Sequence, residues 1–178
     1  RLNPLGQFLE SEAYFLFILK GYGIPEIYSF GHCKYYHILV QTYLGKSLLA
    51  LYNDHKKRFT LSDVCKIGLQ ILDRIEWVHS KNYIHRDIKP ENFLIGYENP
   101  NIIYLIDFGL CKKYRSGKSG RHLSPKLTGR INGTVKFLSS HALKGKESGR
   151  RDDIISIGYM LIIFLLGNLP WRNSINNI

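Results

Sequence analysis

Cysteine is scarce: only Cys33, Cys65 and Cys111 occur, and no two form a C-x-x-C pair. That argues against a disulfide or zinc framework and points to a reducing compartment, cytoplasmic or nuclear. Met160 is the one methionine, so Arg1 is no translation start and the chain is expected to be a piece of a longer protein. No signal peptide, internal repeat or low-complexity linker stands out. Long apolar runs are also missing. The uncharged stretch 154–171 raises the question of a membrane span, but its dense part ends near Leu166, before Gly167, Asn168 and Pro170. A buried core helix and no membrane association are therefore expected. Acidic residues are absent most unevenly. Residues 112–151 hold twelve Lys or Arg and one acid, Glu147, so the net charge of +11 sits in this segment and the remainder balances.

What remains is enough for a folded chain: 178 residues, 44% hydrophobic and 13% aromatic. Its most informative stretch is H-R-D-I-K-P-E-N, His85 to Asn92, followed by I-D-F-G, Ile106 to Gly109. Phosphoryl transfer requires mostly positioning and charge neutralisation. One Asp faces the attacking hydroxyl, a Lys steadies phosphate charge, and an Asn and a second Asp hold Mg²⁺. Asp87, Lys89, Asn92 and Asp107 supply that set at the spacing H-R-D-x-x-x-x-N followed by D-F-G.

With both motifs in this order, the chain resembles a eukaryotic protein kinase. Finer strings make it similar to the casein kinase I superfamily: G-I-P at Gly23–Pro25, H-R-D-I-K-P-E-N-F-L-I-G to Gly96, R-R-D-D at Arg150–Asp153 and L-P-W at Leu169–Trp171. G-T-V-K-F and L-P-W-R look closer to the tau-tubulin kinases. The resemblance covers nearly the whole chain. It implies an α+β, protein-kinase-like fold, incomplete, with the end of the small lobe in residues 1–44 and the first part of a mainly helical large lobe in 45–178. It also implies ATP and Mg²⁺ as cofactors, and protein Ser/Thr substrates of acidic or phosphorylated character. A monomer is expected.

Carried over residue by residue, the resemblance makes Asp87 the hydroxyl-orienting base and Lys89 its Ser/Thr-kinase partner. Thr134, in Gly133-Thr134, would bond both through its hydroxyl. Asn92 and Asp107 would hold the metal. Thr42 and Leu44 fall in the hinge that meets adenine, behind Gln41 at the gatekeeper position, with Leu94 as the apolar floor. Glu12 falls at the helix-C glutamate, with Glu10 as the nearby competitor. Its usual strand Lys and the Gly-rich loop belong before Arg1. Lys136 falls where the family has an Arg in a substrate anion site; it keeps the charge but loses the bidentate fork. Two departures stand out: L-T-G-R-I-N-G-T, 127–134, carries four extra residues, and Ser139-Ser140-His141 replaces S-I-N.

Local patterning places these motifs. Residues 7–20 read as a helix stopped near Gly21, and 26–30 and 35–43 as strands joined by residues 31–34. Thr60-Leu61-Ser62-Asp63 reads as a capping box ahead of apolar positions at helical spacing through Val78. The run 116–120, rich in Gly and Ser, reads as flexible loop. Asp153, Ser156 and Gly158 open a central buried helix, where a buried Asp needs partners. His85 is expected to pack on Phe108 as scaffold; Trp77 and His79 carry no assigned chemistry. Two other readings remain beside the enzyme: a pseudokinase scaffold, and a nucleic-acid binder built on the basic segment. The first is weakened by the intact Asp87, Lys89, Asn92 and Asp107. Against the second, 112–151 has only Tyr114 and Phe137 for stacking, so nucleic acid is not the expected partner.

Overall fold

A computed structural model describes residues 4–116, 120–124 and 131–171, with side chains from residue 9 onward. The middle of the expected loop at 116–120, the first four residues of L-T-G-R-I-N-G-T and the Arg of L-P-W-R lie outside the described residues. Helix α1 (Pro4–Ile18) leads into an antiparallel hairpin of β1 (Ile27–His32) and β2 (His37–Gln41). Strand β3 (Leu44–Ser47) follows, then α2 (Leu48–Asp54) and the long α3 (Leu61–Ser80). Short β4 (Tyr83–Ile84) precedes β5 (Phe93–Gly96), β6 (Ile103–Leu105) and β7 (Lys112–Lys113). The described chain ends on α4 (Ser140–Leu143) and α5 (Arg150–Leu166).

The elements begin where local chemistry dictates. Thr60 accepts the Asp63 amide at 3.2 Å while the Asp63 carboxylate accepts the Thr60 amide at 3.0 Å, closing the expected capping box of α3. Helix α5 starts at Arg150 because the Asp152 carboxylate takes the Gly149 N–H at 2.7 Å. It stops at Gly167, whose φ of 79° suits glycine. The first helix ends two residues before the expected Lys20. The Trp77 indole N–H reaches the Leu19 carbonyl at 2.8 Å, which tethers the chain as it turns away from the helix.

The hairpin turn also falls later than residues 31–34. Gly31 pairs with Ile38 inside the ladder, and the turn is closed by Cys33 N–H donating to Tyr36 C=O at 2.8 Å.

Helices α3 and α5 pack on each other. Val64, Ile71, Ile75 and Val78 of α3 and Ile157, Met160 and Phe164 of α5 enter one core with Leu16, Leu19, Phe93 and Phe108. The sheet β3-β5-β6 lies beside it, with β5 central and antiparallel to both neighbours. Among the described residues no helix is long and apolar enough to cross a membrane.

Candidate active site

The loop from His85 to Asn92 is anchored from below by one carboxylate. Asp153, almost fully buried on α5, accepts the His85 N–H at 2.9 Å on Oδ2 and the Arg86 N–H at 2.9 Å on Oδ1. His79, at the end of α3, bonds the same Oδ2 at 2.8 Å. These bonds hold Arg86 at φ 71°, a region that non-glycine residues enter only when their surroundings compel it. The Arg86 guanidinium caps the Leu110 carbonyl at 2.6 Å.

Asp87 is the hub above this anchor. The Lys89 ammonium donates to its Oδ2 at 2.6 Å, and the Thr134 hydroxyl and N–H donate to its Oδ1 at 2.8 and 3.0 Å. Burial pushes the Asp87 carboxyl up, but Lys89 and Thr134 outweigh it and hold it below the usual carboxylate range. Lys89 answers in kind: burial lowers it, the Asp87 partner raises it more, and it stays charged. Thr134 and Lys89 thus converge on Asp87 from opposite oxygens. Thr134 reaches the loop because Gly133 sits at φ 97°, where a Cβ would stand 2.4 Å from the Arg86 carbonyl oxygen.

Asn92 and Asp107 are brought together by a hairpin. Phe93 pairs with Leu105 across β5 and β6, so the residue before one strand and the loop after the other share an end. Ile106 N–H donates to the Asn92 carbonyl at 3.0 Å and closes that end. The Asn92 amide donates to the Asp87 carbonyl at 2.9 Å. Asp107 stands exposed at φ 61°; the bond its carboxylate takes, from Gly109 N–H at 3.3 Å, is long. Behind it Phe108 is fully buried, edge-on to the His85 ring at 5.4 Å.

Glu12 reaches the same place from α1. Its carboxylate accepts the Phe108 N–H at 2.7 Å, which ties α1 to the D-F-G loop. Burial raises the carboxyl, the Phe108 bond lowers it and the nearby Asp107 charge raises it, so that it is pushed up to about 7.

Thr42, Leu44 and Leu94 line one cavity of about 400 Å³ together with Leu39, Gln41 and Ile106. Lys136 lies outside both groups, exposed, with its ammonium 5.5 Å over the Phe137 ring. The sequence reading assigned His79 no chemistry and counted Tyr114 only as an aromatic of the basic segment. Tyr114 donates its hydroxyl to the His79 carbonyl at 2.9 Å, and His79 completes the Asp153 cluster. That cluster joins residues 74 positions apart, and no local pattern signals it.

An ionised carboxylate beside a lysine, a second carboxylate and an amide at one hairpin end, and an apolar cleft next to them suit the transfer of a phosphoryl group from a nucleotide. The family model described as protein kinase domain matches residues 8–178, and the chain belongs to that family. It is an α+β chain carrying part of the small lobe and the start of the large lobe of a protein kinase. Such enzymes are transferases that use ATP and a divalent metal on protein substrates.

Proposed function

We propose that this chain carries the catalytic loop of a serine/threonine kinase of casein kinase I type, passing the γ-phosphate of ATP to Ser or Thr of acidic or phosphorylated proteins. The observation behind this reading is the convergence of Lys89, Thr134 and Asn92 on Asp87. An Asp held ionised there can accept a hydrogen bond from an incoming hydroxyl and take its proton as transfer proceeds. Lys89, already at the carboxylate, can turn toward phosphate oxygens without leaving the site. The residues present fit a metal: the Asp107 carboxylate and the Asn92 amide oxygen are hard oxygen donors of the kind Mg²⁺ takes alongside substrate phosphates. When bound, Mg²⁺ would neutralise charge on the nucleotide. Thr42 and Leu44 would present backbone groups to adenine over Leu94, with residues 1–44 and 45–178 as the two sides of the cleft. Glu12 would fix α1 against the D-F-G loop, and Lys136 would contribute charge to a substrate anion site.

The test is phosphotransfer by the protein that contains this chain, with Ser, Thr and Tyr peptides and with a phosphoserine placed N-terminal to the target. Ser or Thr should be phosphorylated, and Asp87→Asn should cut the rate by roughly 10²–10⁴-fold. Asp107→Ala should remove the Mg²⁺ dependence along with the activity, and Lys136→Glu should shrink the preference for the phosphorylated peptide. Unchanged turnover in Asp87→Asn would overturn the assignment.

A further inference from the structure

A second, larger cavity of about 600 Å³ lies away from Asp87, Lys136 and the nucleotide cleft. Its walls come from the end of α3 (His79), from β7 and the residue after it (Lys112, Lys113, Tyr114), from His122, and from the start of α5 (Arg150, Arg151). Four permanent cations face one lining carboxylate, Glu147, which pairs with Lys112. Arg151 has Asp152 at 3.6 Å. Lys113 and Arg150 pair with no carboxylate among the described residues. Each rests instead against an aromatic ring, Lys113 at 5.6 Å from Tyr83 and Arg150 at 5.0 Å from Tyr114.

A ring face holds a cation in place but satisfies none of its N–H groups, so both remain able to donate to an anion. Like charges lining one concavity repel one another, and an anion that joins them offsets the repulsion. The rings are themselves committed. Tyr83 is buried, and Tyr114 has Arg150 over one face with the His79 and His122 rings at 6.2 and 5.5 Å. Among the described lining residues the exposed ring is His122, itself edge-on to Tyr114, which offers a base a poor platform and disfavours nucleotides and nucleic acid. The space is concave and lined from separate segments, which suits a small ligand better than an extended chain.

We propose that this cavity binds a small, multiply phosphorylated molecule without a base, separately from the nucleotide cleft. Arg150 offers a bidentate fork to one phosphate and Lys113 a point charge to another. This goes beyond the kinase reading, because binding here needs no phosphotransfer.

The probe is inositol hexakisphosphate added to the protein that contains this chain, with inorganic phosphate, a phosphoserine peptide, a single-stranded oligonucleotide and MgATP as comparison arms. Calorimetry should give saturable binding that weakens with salt, raises the melting temperature and persists at saturating MgATP. Lys113→Ala with Arg150→Ala should weaken it at least tenfold, Arg150→Lys by less, and Lys46→Ala not at all. On the unaltered protein, the probe should protect Lys113 from amine acetylation and leave Lys46 reactive. This footprint decides the matter if the double variant does not fold. Displacement by MgATP, equal protection of both lysines, or binding by the peptide or oligonucleotide but not the probe would each overturn the proposal.

Discussion

His85 shows how a single protonation state is built into the site. Its Nδ1 accepts the Asp87 N–H at 3.3 Å, and its Nε2 faces the Ile106 carbonyl at 3.1 Å. Both bonds are made together only by the neutral ring with its proton on Nε2. A second proton on Nδ1 would meet an N–H donor head-on. Burial lowers the His85 pKa, against opposing pulls from Asp153, the Ile106 carbonyl and Asp87. The folded protein therefore binds this proton less readily than the unfolded chain, whose histidine titrates at about 6.5. The stability that neutral His85 contributes is present above that pH and is lost as pH falls below it. Melting temperature should drop between pH 7 and pH 5, and less so in His85→Phe, which keeps a ring against Phe108. An equal drop in both would locate the acid sensitivity elsewhere. The expected packing of His85 on Phe108 followed from the motif, but the fixed tautomer rests on two backbone groups that only the folded loop brings near.

Asp153 acts at the scale of elements, since its one carboxylate joins the end of α3, the catalytic loop and α5. Removing it would orphan the buried His85 N–H and the half-buried Arg86 N–H and take the carboxylate partner from His79. Asp153→Ala is thus expected to cost about 3–5 kcal/mol, as for a buried charge network that loses one member. Asp153→Asn, which can still accept one N–H bond, should cost less, and urea unfolding followed by helical signal would measure both. A cost below about 1 kcal/mol for Asp153→Ala would show that the loop is held by other contacts. Much at this scale was legible in the sequence. The α3 cap and the helical spacing through Val78 followed from residue types at fixed intervals, whereas the partners of Asp153 and Asp87 were expected only from the resemblance to protein kinases. What was not legible came from distant partners. Trp77 sets where the chain leaves α1, the ladder carries Gly31 into β1, and Tyr114 and His79, 35 positions apart, meet at the anchor. Spacing along the chain cannot report contacts made through the core.

Across the whole molecule, order should be uneven, because burial is. Side chains where α3 meets α5 are nearly inaccessible, with Ile71, Ile75 and Met160 at 0% exposure. The β1–β2 hairpin is the opposite case. Tyr28, Phe30, Ile38 and Val40 are all exposed, and inward packing comes from Ile27 and Leu39 against the core. A two-stranded ribbon has marginal stability of its own, so the hairpin depends on those few contacts and on α1 behind it. Its ladder bonds can open without disturbing the helical core, whereas opening α3 or α5 exposes the core itself. Hydrogen exchange should therefore split the molecule. Amides of residues 27–41 should exchange about 100-fold faster or more than those in the middle of α3 and α5, with α1 between them. Leu39→Ala should speed exchange in the hairpin and leave α5 unchanged, because the lost packing belongs to the hairpin alone. Ile75→Ala, by contrast, should lower the global melting temperature through a cavity worth about 2–5 kcal/mol. Uniform protection across hairpin and helices would mean that both unfold as one unit, contrary to the separation that burial implies.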